Sequence, residues 1–116
     1  MRDQVKKLNT IVNRQDFLLT ARAKRSGKPS FLLQARNRRD DSPTIRIGFT
    51  CSKKLGNAVI RNKAKRRLRE ISRSVLMISG KSGWDYVLIG RPKATVERPF
   101  VLLEKDLEIA IQQVHS

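Results

Sequence analysis

Acidic residues are scarce in this 116-residue sequence: ten Asp and Glu stand against 26 Lys and Arg, giving a net charge of +16 and an isoelectric point near 11.3. Cations at that density repel one another in a compact chain, which excludes a self-neutralised surface and demands a polyanionic partner. The few acids before the last twenty residues are also scattered. Asp3, Asp16, Asp40, Asp41, Glu70 and Asp85 offer no cluster for a two-metal site, and the Asp40-Asp41 pair reads as solvated loop. Histidine occurs once, at 115, so no His pair exists for acid-base work, and Ser and Cys nucleophiles lack a partner base. The polypeptide is therefore expected to be non-catalytic on its own, which disfavours a protein-only nuclease. A single cysteine, Cys51, excludes an internal disulfide framework and a Cys-x-x-Cys zinc site, and is expected in the core. His115, near the chain end, is expected to fray. No apolar run approaches a membrane span and the N-terminus lacks the hydrophobic segment of a secretory signal, so a cytoplasmic location is expected.

What the chain has instead is concentrated charge. Residues 53–73 hold nine basic residues and one acid, Glu70, whereas residues 97–116 carry a net negative charge and should pack away from the polyanion. A basic run can be a disordered tail, but this one has a period. Ile60, Ala64, Leu68, Ile71, Val75 and Ile78 recur at helical spacing as one buried stripe. At about 100° per residue, Arg61, Asn62, Lys65, Arg66, Arg69 and Arg73 fall within an arc of roughly 140° beside that stripe. No i,i+4 acid offsets their repulsion, and the planar fork of Arg suits phosphate oxygens. These six residues, with Lys53 and Lys54 in the loop leading to the helix, are the candidate RNA-binding set. The apolar arc carries no Trp or Phe, which argues against an interfacial membrane helix.

The rest of the chain reads as one domain over 1–116. Residues 1–12, with Arg2, Lys6 and Lys7, read as an extended basic arm tacked down by Leu8 or Ile11. Asn13-x-x-Asp16 begins a first helix, with Phe17, Leu18, Ala21 and Arg25 at helical spacing, ending near Ser26-Gly27 before Pro29. Residues 30–36 and 44–52 alternate as strands. The second places Ile45, Ile47, Phe49 and Cys51 inward and Arg46, Gly48, Thr50 and Ser52 outward. Gly80 to Gly83 breaks the basic helix, residues 84–90 form a third strand, and a last helix starts around Pro99 with Phe100, Leu103, Leu107, Ala110 or Ile111, and Val114 as its stripe. The order α-β-β-α-β-α implies an α/β (α+β) two-layer sandwich with a small mixed sheet and three helices.

The motif Arg61-Asn62-x-x-Lys65-Arg66-x-x-Arg69, preceded by Ser52-Lys53-Lys54-Leu55-Gly56-Asn57-Ala58-Val59, resembles the signature of the bacterial ribonuclease P protein subunit family. The resemblance extends to Asp16-Phe17, Phe31-Leu32-Leu33 and Asp85-Tyr86-Val87-Leu88-Ile89. It implies a left-handed crossover around the basic helix. It also implies a division of labour: the ribonuclease P RNA binds Mg²⁺ and cleaves the 5′ leader from precursor tRNA, while one protein copy, monomeric when free, holds the leader and supports metal binding. From the residues alone Phe17 reads as a core aromatic or a partly exposed base-stacking platform, with core the commoner fate; on this resemblance it borders the leader cleft, which Leu32, Gln34, Arg36 and Arg46 complete. Two departures stand out, since the family commonly has aromatics where this chain has Ala21 and Gln34; hydrogen bonds from Gln34 and Arg36 are expected to compensate. The rival reading is a structural ribosomal-type or chaperone-like RNA-binding protein, from which residues 52–69 discriminate.

Overall fold

The computed structural model describes residues 7–116. Ten short segments follow one another: β1 (Leu8–Thr10), α1 (Arg14–Ala21), β2 (Lys24–Gly27), β3 (Phe31–Asn37), β4 (Ile45–Thr50), a 3-10 turn (Lys53–Leu55), α2 (Ala58–Ser79), β5 (Trp84–Gly90), α3 (Ala94–Glu97) and α4 (Phe100–Val114). The strands form one sheet in the order β1-β4-β5-β3-β2, with β1 and β5 parallel to β4, and the pairs β5-β3 and β3-β2 antiparallel. This is the mixed α+β architecture expected, with α2 connecting the parallel neighbours β4 and β5. No helix among the described residues is long and apolar enough to cross a membrane.

Alternation along the strands divides the sheet into two unlike faces. Phe31, Leu33, Ala35, Ile45, Ile47, Tyr86 and Leu88 point to one face, where they meet Leu68, Ile71, Val75 and Leu76 of α2 and Leu103, Leu107, Ala110, Ile111 and Val114 of α4. Full burial of side chains such as Phe31, Leu68 and Leu107 stabilises the fold by roughly 1.5–3 kcal/mol each. The other face carries Arg36, Arg46, Gly48, Thr50 and Asp85 together with Leu32, Val87 and Ile89, and α1 packs against it.

Several expectations are corrected. Arg2 and Lys6 of the basic arm lie outside the described residues; within the arm Leu8–Thr10 is extended and pairs with β4, and Ile11 is buried and tacks it down as expected. The first helix stops at Ala21 instead of running to Ser26-Gly27. Residues 24–27 pair with β3, Lys24 opposite Ala35 and Gly27 opposite Leu32, because an edge strand satisfies their backbone while Lys24 and Arg25 stay in solvent. The stripe placed on α1 is also off: Leu18 and Leu19 are exposed, and the fully buried side chain is Thr20, whose hydroxyl donates to Asp16 O at 2.7 Å. In α2 the stripe holds in the middle and fails at its ends. Ile60 is partly exposed, Ile78 is 80% exposed, and Leu76 and Ser72 turn inward instead. Phe100 is likewise exposed, and Pro99 precedes α4 as its cap rather than occupying its first turn. Between β5 and α4 the short α3 was not anticipated. Its Thr95 is fully buried, accepting from Arg91 N at 2.8 Å and donating to Ser30 O at 2.5 Å.

His115 does not fray. Its ring meets Trp84 edge-on at 4.3 Å, and its Nε2 lies 2.6 Å from the Tyr86 hydroxyl. Lys81 N donates to that hydroxyl at 2.9 Å, leaving the phenolic proton for a neutral imidazole. Burial pushes Tyr86 up to about 12. Burial first, then Lys81 and Lys24, lowers His115 to about 4 from its ordinary 6.5. Between those two values the unfolded chain binds a proton that the folded chain refuses, so this stability is fully present above pH 6.5 and is lost as the pH falls toward 4. The melting temperature should accordingly fall from pH 7 to pH 5, and fall less in His115→Gln. An identical fall in both proteins would assign the effect to carboxylates instead.

Candidate nucleic-acid interface

The basic helix is positioned by its entry. Ser52 accepts from Lys54 N at 3.3 Å to start the 3-10 turn, and Asn57 accepts from Ile60 N at 3.0 Å to cap α2. Between the two caps Gly56 sits at φ +139°, and a Cβ there would lie 2.9 Å from Ile60 Cδ1. Only glycine lets the chain turn this tightly onto the helix. Lys53 and Lys54 are exposed at the turn; Asn62, Lys65, Arg66, Arg69 and Arg73 are exposed along α2, and Arg61 is half-buried. None of these cations forms an ion pair among the described residues, whose salt bridges all lie elsewhere. The candidate RNA-binding set therefore stands together on one side of a docked helix. Arg67, on the same run, has a different place: its guanidinium donates to the carbonyls of Val96 and Arg98 and ties α2 to the segment before α4.

The expected cleft set is split by the structure. Phe17 lies across Gly48 on the polar face of the sheet, and a Cβ at 48 would fall 2.5 Å from its Cε1, so glycine is what admits the ring. Half-buried there, Phe17 lines an open cavity of about 530 Å³ with Val12, Arg14, Leu18, Phe49, Thr50, Cys51 and Lys65. Lys65 thus joins the basic helix to the Phe17 site. Val12, Arg14, Phe49 and Thr50 were not among the expected cleft residues; Phe49 packs against the core, as the alternation of β4 implies, and borders the cavity as well. Cys51 sits at the core margin rather than within it, and burial raises its thiol against the opposing pull of Lys65.

Leu32, Gln34, Arg36 and Arg46 do not line this cavity. Gln34 is 5% exposed, paired between Arg25 and Val87 in the middle of the sheet, so the expectation that it reaches out to RNA is corrected. Leu32 is half-buried opposite Ile89. Arg36 and Arg46 are engaged within the protein. Strand register places both opposite Asp85, which is 0% exposed. Arg46 grips its two oxygens at 2.7 Å each, Arg38 donates at 2.9 Å and Arg36 at 3.1 Å. Burial is the largest single influence on Asp85 and would raise it, but the hydrogen bonds from Arg46, Arg38 and Arg36 together outweigh burial and hold the carboxyl below its usual range. The same Asp85 contact raises Arg46. Asp16 of α1 then bridges Arg36 at 3.2 Å and Arg46 at 3.3 Å, which anchors α1, and with it Phe17, to the sheet. No group of three or more His, Cys, Asp or Glu side chains among the described residues is arranged to hold a metal ion.

Comparison with known proteins agrees with this geometry. The Ribonuclease P family model matches residues 5–115. The chain is similar to the ribonuclease P protein component of Ruegeria pomeroyi, 54% identical over 110 residues that cover 94% of this chain and 88% of that one. The corresponding component of Caulobacter vibrioides is 44% identical over 105 residues, covering 90% of this chain and 70% of its own. Among solved structures, the RNase P protein from Thermotoga maritima superposes with a TM-score of 0.74 at 30% identity, over 93% of this chain and 99% of that one.

Proposed function

This chain belongs to the Ribonuclease P family, and on that premise we propose that it binds a ribonuclease P RNA through the exposed cations of α2 and holds the 5′ leader of precursor tRNA in the cavity beside Phe17. The holoenzyme so formed cleaves the leader endonucleolytically and matures the 5′ end of tRNA. The observation that carries the reading is the row of cations without acid partners among the described residues on one side of α2, continuous through Lys65 with an aromatic-lined cavity. Phosphates neutralise the row, and a splayed base stacks on Phe17. One protein copy serves one RNA in the cytoplasm.

In this reading Mg²⁺ belongs to the RNA. The carboxylates that converge in the protein, Asp16 and Asp85, are already bridged by Arg36, Arg38 and Arg46, so these residues do not fit a magnesium site and no step is derived through one. Cleavage chemistry is assigned to the RNA, with the protein binding and orienting the substrate.

The test is reconstitution. RNA-free protein added to a bacterial ribonuclease P RNA should lower the Mg²⁺ needed for precursor-tRNA cleavage and should cleave nothing alone. In the same assay Phe17→Ala should weaken precursor binding by about 1–3 kcal/mol, the worth of one stacked base, and leave mature tRNA binding unchanged. Site-specific cleavage by rigorously RNA-free protein would refute the division of labour. Equal weakening of both substrates would reduce Phe17 to a packing residue.

A further inference from the structure

On the core side of Phe49 lies a second, smaller hollow. It measures about 160 Å³ and is lined by Leu8, Asn9 and Thr10 of β1, Ile47 and Phe49 of β4, and Arg69, Ser72 and Arg73 of α2. That is well below the roughly 300–1,000 Å³ of sites for whole small-molecule ligands, and suits one flat ring. The Arg69 guanidinium sits 5.7 Å from the centre of the Phe49 ring, within cation–π range. Arg73 is exposed beside it, and neither arginine has an acid partner among the described residues. β1, on one side of the hollow, is an edge strand of the sheet. Lys7 O and Ile11 N bond to β4 at 2.9 Å, so alternation turns the backbone groups of Leu8 and Thr10 to the outer side, where no strand among the described residues pairs with them.

We propose that this hollow is a nucleotide subsite: one unstacked nucleotide of RNA lays its base on the Arg69 guanidinium beside Phe49 and its phosphate against Arg73. Arginine planes serve as stacking platforms for splayed bases, and the free backbone groups of β1 supply donors and acceptors to the base edge. Phe49 also borders the Phe17 cavity, so the two hollows share one residue, and a single strand passing Phe49 reaches both. The proposal rests on the reading of α2 as an RNA-facing helix and adds a seat for one base to what would otherwise be contacts with phosphates alone.

Arg69→Lys is the discriminating variant, because it keeps the charge and removes the plane. Binding should weaken about 5- to 150-fold, the equivalent of about 1–3 kcal/mol of stacking per base, with the dependence of log K on log salt unchanged. Phe49→Leu, which keeps an apolar side chain at the core margin, should give a similar loss, and the double variant should be little worse than either single one. Arg73→Ala should instead flatten the salt slope by about 0.7. Two binding measurements locate the source of the nucleotide. Loss in assembly with ribonuclease P RNA assigns it to that RNA; loss confined to precursor over mature tRNA in the holoenzyme assigns it to the leader. Native-like binding by Arg69→Lys in both measurements overturns the proposal. Failure of the native protein to bind ribonuclease P RNA is a different result, which removes the functional reading and the subsite with it.

Discussion

Replacing Asp85 by asparagine should lower the unfolding free energy by about 3–5 kcal/mol, the cost of breaking a buried ion pair by deleting one partner. Asp85 is fully buried, and three guanidiniums, from Arg36, Arg38 and Arg46, converge on its two oxygens. Asparagine fits the space but carries no charge, and its amide presents N–H donors to a site already crowded with them. Three cations are then left facing Asp16 and the outlying Asp40. In urea the midpoint should drop with an unchanged slope. Asp40→Asn is the control, because the same chemistry at a carboxylate half open to water should leave the curve where it was. If the two variants unfold alike, the Asp85 cluster adds nothing beyond surface pairing. The cluster also has an acid signature. A carboxylate held below its ordinary 3.8 contributes stability that is present above that value and lost as the pH falls through the lowered one, beneath the window in which His115 titrates.

The two sides of α2 should separate just as sharply. Leu68 is fully buried beneath the sheet and α4, and Leu68→Ala should destabilise the fold by about 2–5 kcal/mol, as emptying a core leucine site does. Arg66 is exposed, has no acid partner among the described residues, and touches none of the core, so Arg66→Ala should unfold at the native midpoint. Its effect belongs to RNA binding. The salt slope should flatten by about 0.9 for a duplex-like contact or about 0.7 for a single strand. Lys81→Ala, beyond the end of the helix, makes the comparison internal. Equal slope changes for Arg66→Ala and Lys81→Ala would mean that charge acts diffusely and that α2 has no oriented face.

The middle of α2 was legible in the sequence because Ala64, Leu68, Ile71 and Val75 repeat at one period over three turns, and nothing but a helix buries them together. The ends were not, since the identical pattern continues to Ile60 and Ile78, yet the buried arc is turned toward Ser72 and Leu76 and leaves those two exposed. β2 was illegible for another reason. Lys24-Arg25-Ser26-Gly27 has no apolar alternation, and it is a strand only because β3 offers it an edge. The site shows the same divide. Exposed cations on α2 follow from helical geometry alone. The inward commitment of Arg36 and Arg46 depends on a register that brings residues 36, 46 and 85 abreast, which no local pattern encodes. Resemblance located Phe17, whereas Phe49 and Val12 could be found only once β1 and α1 had been folded around the end of β4. A usable sign was nevertheless present at Gly48, a glycine amid alternating strand residues, which marks close approach of a neighbour.

The sheet order bears on how the molecule is made. β5 lies between β4 and β3, yet it is the last strand in the chain. Consecutive β3 and β4 cannot pair with each other in the native arrangement, and neither has its central neighbour until residue 90 has been synthesised. At about 5–20 residues per second, roughly 2–8 s separate the end of β4 from the end of β5 on the ribosome. Late in that interval α2 has been made but has neither a finished β5 nor α4 to cover its apolar side. A nascent chain halted before β5 therefore presents a cationic, amphipathic helix whose apolar side has no central strand to pack on.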